Sequence, residues 1–420
     1  MEAEPVPFAR PFFGREEEEA VIRVLRSGWL TTGKETLAFE EEFADFLAGY
    51  AAPANSAAPA LPPQKPFCLA VNSATSGLHL ALAALGAGRG DLVLVPSYTF
   101  VSTAETALYL GAEPVFVDSA PGSFHMDPDA LEETLTRLAA GLPAYGKRGK
   151  DFGPRGKAAA VIPVHFGGLP CPMKPILETA RRFGIAVIED AAHSFPSRTG
   201  EGCAGTLGDM GVFSFYATKT ITTGEGGMVV CRDGEKAERV RTLRSHGIDR
   251  AVWNRYTDAK ASWYYEVTEQ GYKYNLPDIL GAVGRVQLSR AETLLAMREA
   301  AARRYDEAFA SEEALIIPPT GPGDARHLYP LRLDTGKLSV SRDVFIEKLR
   351  ERGIGASVHF IPLHSMPYYR KRQNLQEDDF PQAMKSYRAE ISLPLWPGMT
   401  EAMTERIVRM VKALIREYNK

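Results

Sequence analysis

Residues 185–193 read Ile185-Ala-Val-Ile-Glu-Asp190-Ala-Ala-His193, a short unbroken apolar run that ends in two acids. The run is too short for a helix and apolar at consecutive positions, so it predicts a strand buried on both faces. The same texture recurs at 67–71, 91–95, 113–117, 158–163, 212–215 and 228–231, and helical patterns at 76–85, 129–138 and 173–183 fall between these runs. Such alternation predicts an α/β chain with a mostly parallel central sheet covered by helices on both faces. In sheets of this kind the functional side chains collect at the carboxyl ends of the strands, which directs attention to Asp190.

Outward from this region the pattern changes. Two solvent-facing helices are predicted at 16–27 and 35–47, joined by the turn Ser27-Gly-Trp-Leu-Thr31-Thr32-Gly33. Residues 278–309 read as one long or kinked helix, followed by a Pro/Gly-rich break at 318–323. A strand at 327–333, a helix at 342–352, a strand at 355–360 and a last helix at 401–418 complete the reading. The expected organisation is a large domain over 1–290, including the first helices, and a smaller C-terminal α+β domain over 291–420. The Ala/Pro-rich 51–66 and the Gly/Lys/Arg-rich 141–157 segments read as surface loops or hairpins.

The chain has 420 residues, with 49 Lys+Arg against 52 Asp+Glu, a net charge of −3, and 45% hydrophobic positions. That length supplies two or three ordinary cores. The balance of charge gives no support to nucleic-acid binding, which requires a basic excess or stripe. Cys68, Cys171, Cys203 and Cys231 are far apart in the sequence. They fit neither a disulfide framework nor a metal cluster, and they suit a reducing cytoplasm. Residues 1–14 contain early acids and no apolar core, so they do not read as a signal peptide. No run approaches the ~18 apolar residues of a membrane helix, and no membrane association is expected.

Four segments carry potential chemistry. Phe213-Ser-Phe-Tyr-Ala-Thr-Lys219 leads from a strand through a lysine to a glycine-rich turn and a further strand. Its G-x-G-G spacing opens no helix, so it is no dinucleotide fingerprint. Asp190 ends its strand, where an acid is often only a helix cap, and His193 follows three residues later. Asn72-Ser-Ala-Thr-Ser-Gly77 puts small and hydroxyl residues where a helix begins, a position suited to a phosphate. Val95-Pro-Ser-Tyr98-Thr-Phe100 brings aromatics to another strand end. Each signal is ambiguous alone, but together they meet the needs of one cofactor, pyridoxal 5′-phosphate. It requires a Schiff-base lysine, a carboxylate for the ring nitrogen, a phosphate site at a helix N-terminus and a flat partner for the ring.

With these segments in view, the chain resembles the DegT/StrS family of nucleotide-sugar aminotransferases, pyridoxal-phosphate-dependent enzymes of fold type I. The resemblance runs from about residue 11 to 412. It is carried by SGWLTTGKETLAFEEEF (27–43), the segment from VNSATSG to PSYTFVSTA (71–104), IPVHFGG (162–168) and VIEDAAHSF (187–195). It continues in FSFYATKTITTGEGGMVV (213–230), GYKYNLPDILGAVGRVQL (271–288), GIGASVHFIPLH (353–364) and ISLPLWPGMT (391–400).

The resemblance implies the roles. Lys219 matches the Schiff-base lysine and proton shuttle, Asp190 the acid on the ring nitrogen, and His193 a residue beside the ring. Ser214, Ala74 and Thr75 match the phosphate site. Phe100 matches the stacking aromatic, with Tyr98 as second choice. Asn275 matches a residue that reaches the cofactor phosphate of a neighbouring subunit, which implies a homodimer with shared active sites. Thr31, Thr32, His165, His359 and His364 are expected to line the substrate site. The implied reaction moves an amino group from L-glutamate, giving 2-oxoglutarate, to a nucleotide-linked keto sugar. The closest motifs are those of 4-keto UDP-sugar enzymes such as those making 4-amino-4-deoxy-L-arabinose. A 3-keto sugar or cyclitol acceptor, and a non-catalytic regulatory homologue, are the alternatives. Some members replace the lysine by histidine and dehydrate their substrate; Lys219 favours transamination. The 51–66 and 141–157 segments are longer than is usual for the family.

Overall fold

A computed structural model of the chain describes residues 4–50, 65–147, 150–249 and 264–420. Seven strands form the main sheet, in the spatial order Phe67–Val71, Gly227–Cys231, Met210–Ser214, Ala186–Asp190, Lys157–Val161, Asp91–Pro96 and Glu113–Val117. Strand 227–231 runs antiparallel to both its neighbours, and the other adjacent pairs are parallel. Strands 67–71 and 227–231 show why the runs lack polar alternation. Leu69, Val71, Val229 and Cys231 pack into one core with the helices at 74–84 and 234–243. Cys68, Ala70, Met228 and Val230 pack on the other face against Phe39, Phe43 and Leu47 of helix Lys34–Ala48. Successive side chains therefore both meet apolar layers.

Helix Ala74–Ala84 lies unusually close to the sheet. A Cβ on Gly77 would meet Val212 Cγ1 at 2.7 Å, so only glycine permits this spacing. Ser73 caps the helix by accepting the Ser76 N–H at 3.1 Å.

The second core joins a three-stranded antiparallel sheet (Leu315–Ile316, Tyr329–Leu333, Glu390–Leu393) to helices Arg342–Glu351, Glu401–Tyr418 and the later turns of Ala291–Phe309. Residues 363–383 return to the first core through Leu363, Tyr369, Leu375, Phe380 and Ala383. Val6 packs into the second core and pairs with Ile354.

One expectation fails, the strand at 355–360, and two others are resolved in detail. The 278–309 helix is two helices, Asp278–Ser289 and Ala291–Phe309, broken at Arg290. Residues 355–360 form no strand. Ser357 exchanges backbone hydrogen bonds with Ser392, but Gly355 donates to Val6 and the His359 carbonyl accepts from the Tyr98 hydroxyl, so no ladder propagates. Within 141–157, strands Tyr145–Lys147 and Lys150–Phe152 form a hairpin. The 51–64 part of the other long segment lies outside the described residues. Among the described residues no helix is long and apolar enough to cross a membrane.

Candidate active site

The carboxyl ends of strands 67–71, 91–96, 186–190 and 210–214 open onto a cavity of about 480 Å³. Ala74, Thr75, Phe100, Asp190, His193, Ser214, Lys219 and His359 all line it. Strand periodicity separates the two acids that end the 186–190 strand. Glu189 is fully buried away from the cavity, where it accepts the backbone N–H groups of Gly205, Leu207 and Gly208 at 2.9, 2.6 and 2.7 Å. Asp190 faces the cavity. Its Oδ2 accepts the Thr103 hydroxyl at 2.9 Å and its Oδ1 the Ala192 N–H at 3.2 Å. Burial raises its pKa, opposed by these two hydrogen bonds and by the charge of Lys219.

Lys219 sits in the loop between two adjacent antiparallel strands, 210–214 and 227–231, held by its N–H to the Tyr216 carbonyl at 2.9 Å. Desolvation lowers its pKa to about 7, against the pull of Asp190 and with help from Arg298. An amine so placed can be neutral, hence nucleophilic, near physiological pH. Its Nζ lies 3.5 Å from Nε2 of His327. His193 accepts the Gly167 N–H on Nδ1 at 3.3 Å, and its ring centre is 4.5 Å from that of His327. Burial and Lys219 push His193 and His327 well below the ordinary histidine pKa, and His359 falls to about 4. Three neutral imidazoles therefore surround the amine. His359 is held by Ser392 Oγ on Nδ1 at 2.8 Å, and Phe8 stacks on its ring.

The amino end of helix 74–84, lined by Ser73, Ala74 and Thr75, and the Ser214 hydroxyl form the polar end of the cavity. A Cβ on Gly227 would meet Ala74 N at 2.7 Å, so this glycine lets the strand lie against the helix start.

Two expected substrate residues are corrected. His165 is fully buried, its Nε2 bonded to Glu189 at 2.9 Å and its Nδ1 accepting the Cys171 N–H at 2.9 Å. His364 is also fully buried, between Ser97 and the Glu377 carbonyl. Both imidazoles satisfy interior polar groups and do not line the cavity. Tyr98 is buried too, packed on Phe124 and Phe166, whereas Phe100 is 55% exposed at the cavity wall. Thr31, Thr32 and Asn275 lie outside this cavity, and Asn275 donates to Thr32 Oγ1 at 2.7 Å. Sequence reasoning missed Phe8, His327 and Arg298. His327 sits in a run that reads simply as a strand, but Arg298 carried a signal: it occupies the apolar stripe Leu294, Arg298, Ala301, Ala302, Tyr305.

The sequence pattern described as the DegT/DnrJ/EryC1/StrS aminotransferase family matches residues 12–62 and 63–412. The chain belongs to this family. Among relatives of this DegT-family chain, the spore coat polysaccharide biosynthesis protein SpsC of Bacillus subtilis is 40% identical over 98% of this chain and 97% of its own. Two solved structures superpose over nearly the whole length. PseC of Helicobacter pylori, an aminotransferase involved in the biosynthesis of pseudoaminic acid, has a TM-score of 0.82 at 28% identity, covering 99% of this chain and 100% of its own. Spr1654 of Streptococcus pneumoniae in its PMP-form has a TM-score of 0.83 at 27% identity, covering 98% and 99%. The chain is thus an aminotransferase with the type I fold of pyridoxal-phosphate-dependent enzymes.

Proposed function

We propose that this aminotransferase moves an amino group from L-glutamate to the keto group of a sugar carried on a nucleotide diphosphate, a 4-keto UDP-sugar being the first choice. The observation that carries the reading is the convergence of Lys219, Asp190 and the start of helix 74–84 on one cavity. The cofactor is pyridoxal 5′-phosphate, and the residues present fit it. Ser73, Ala74, Thr75 and Ser214 offer N–H and O–H donors for a phosphate. Asp190, fixed by Thr103 and Ala192, offers an acceptor for a protonated ring nitrogen. His193 and Phe100 offer flat surfaces, and Lys219 the amine. When bound, the cofactor supplies an electrophilic carbonyl for amine exchange and an electron sink for the bond-breaking step.

The chain's own groups do the rest. Lys219 Nζ, neutral in a substantial fraction near pH 7, would accept a proton from the donor's α-carbon and deliver it to the cofactor's C4′ carbon in the same half-reaction, the reverse transfer serving the acceptor half. The neutral imidazoles at 193, 327 and 359 add no positive charge that would compete for Asp190. Phe8 and Phe360 form apolar wall beside His359, restricting water.

The same reading takes Thr31, Thr32 and Asn275 as facing the site of a second copy in a homodimer, since they lie outside the cavity of their own chain. It includes a cytoplasmic location and a division near residue 290, supported by the presence of a second core built mainly from residues beyond 300, with residues 363–383 and Val6 crossing between the two. The PseC and SpsC relationships support a role in amino-sugar or polysaccharide biosynthesis.

The test is direct. The cofactor-loaded protein is yellow, L-glutamate bleaches its visible band, and one member of a panel of nucleotide-linked 3- and 4-keto sugars restores it. Mass and NMR analysis then identify the amino sugar. Borohydride reduction that leaves no adduct on Lys219 overturns the proposal.

A further inference from the structure

Arg298 projects from helix Ala291–Phe309 into the interior and is only 1% exposed. No carboxylate pairs with it among the described residues. Its partners are four backbone carbonyls. Nη1 donates to His327 at 3.1 Å and to Leu395 at 2.9 Å, and Nη2 donates to Thr218 at 3.3 Å and to Lys219 at 3.4 Å. Its Nε is buried with no partner. Taking an ion out of water costs several kcal/mol even after relaxation, and a counter-ion ordinarily offsets part of that. Here carbonyl dipoles alone do so. A neutral side chain would hold fewer carbonyls and cost less, so the charge itself requires an explanation.

The four carbonyls supply it. They belong to the Lys219 loop, to the segment that presents His327 to the amine, and to the stretch after strand 390–393. One planar fork thus joins the two segments that define the amine's surroundings. We propose that Arg298 is a positioning residue that fixes the Lys219 backbone against His327 and sets an uncompensated positive charge beside the loop that carries the amine.

The charged and titratable groups around that amine come from several elements. Asp190 at the end of strand 186–190 is the anion that opposes the effect, and Glu225 lines the same cavity. His193, His327 and His359 are neutral at pH 7 because burial lowers all three. Burial lowers Arg298 itself to about 9, which leaves it protonated at neutral pH. Arg298 is therefore the cation that works with desolvation to depress Lys219.

The inference deepens the proposed function and rests on Lys219 being the reacting amine, but its first test needs no substrate. In the full-length chain freed of cofactor, acetylation of Lys219 by acetic anhydride is followed by peptide mass spectrometry as a function of pH. The parent should titrate near the depressed value. Arg298→Met should move the midpoint upward by ~1 unit, and Arg298→Lys, which keeps the charge, should leave it within a few tenths of the parent's. In the cofactor-loaded protein, Arg298→Lys should nevertheless bleach with L-glutamate ~10- to 100-fold more slowly, because a single ammonium cannot hold four carbonyls in one plane.

If Arg298→Met does not fold, Arg298→Gln, neutral but still a donor, takes its place in the titration. An unchanged midpoint in the neutral variant overturns the electrostatic role, and a parental bleaching rate in Arg298→Lys overturns the positioning role. A parent that binds no cofactor and does not respond to glutamate defeats the functional reading, yet leaves the acetylation midpoints to judge Arg298 separately.

Discussion

Thr103→Val probes how the buried Asp190 carboxylate is kept ionised. The substitution preserves shape while removing a hydroxyl that donates to Asp190 Oδ2 at 2.9 Å and bonds Thr99 Oγ1 at 2.8 Å. Hydrogen bonds to charged groups contribute ~1.5–3 kcal/mol. At 1.36 kcal/mol per unit, their loss raises the Asp190 pKa by a further ~1–2 units. The sign of the pH dependence follows from the direction of the existing shift. Asp190 is raised in the fold by burial, so the fold tolerates its acid form and carries a cost that appears as pH rises through the folded-state titration. In Thr103→Val that cost is larger, and the difference between variant and parent should widen from acid to alkaline pH. Thermal melts of the cofactor-free proteins at pH 5.5 and pH 8.5 measure it. A deficit of ~2 kcal/mol corresponds to a drop of several degrees in a domain of this size. Equal melting at pH 8.5, or a deficit that shrinks with rising pH, would refute the reasoning.

Three other outcomes are expected. Lys219→Met removes an amine whose pKa is depressed to about 7. Because the fold disfavours the charged amine, the variant should melt above the parent at pH 6 by ~2 kcal/mol, allowing for the part that faces the open cavity. This gain should fade as pH rises from about 7 toward the unfolded-state value, and melts across that range check it. Glu189→Ala strands three backbone N–H groups and the His165 ring N–H in the interior and should cost ~3–5 kcal/mol, read as a fall in the urea midpoint, whereas Asp190→Asn should remain folded. Gly77→Ala forces a methyl against Val212 and Val229, costing ~1–3 kcal/mol. It should also weaken cofactor binding, measured by dialysis against graded pyridoxal phosphate, because the start of helix 74–84 must shift.

The sheet was legible because its strands are buried on both faces, and a continuous Val/Ile run has no reading as an exposed helix. That these residues would meet at one cavity was legible because Lys219, Asp190, Ser214 and residues 74–75 sit next to strand ends, where local sequence determines where a side chain is presented. The histidines were harder. His165 and His359 occupy similar motif-like surroundings, and their fates depend on partners distant in sequence: Glu189 satisfies one inside the core, while Ser392 holds the other at the cavity. The 355–360 run has strand-like composition, yet its hydrogen-bonding groups are claimed by Val6 and Tyr98. Arg298 broke the apolar stripe of its helix, and an arginine at a core-facing position is a signal that sequence reading can use.

The attachment of residues 5–8 sets an order of events for the growing chain. Val6 pairs with Ile354, the Pro7 carbonyl accepts the Trp396 indole N–H at 3.2 Å, and Phe8 stacks on His359. These early residues leave the ribosome long before the segments that receive them. The sheet and the lysine loop can form while translation continues, but the wall beside His359 closes only once the last strand and its following turn have emerged. A nascent chain stalled before residue 390 would hold Lys219 and Asp190 on a folded sheet with one side of the cavity still open to water.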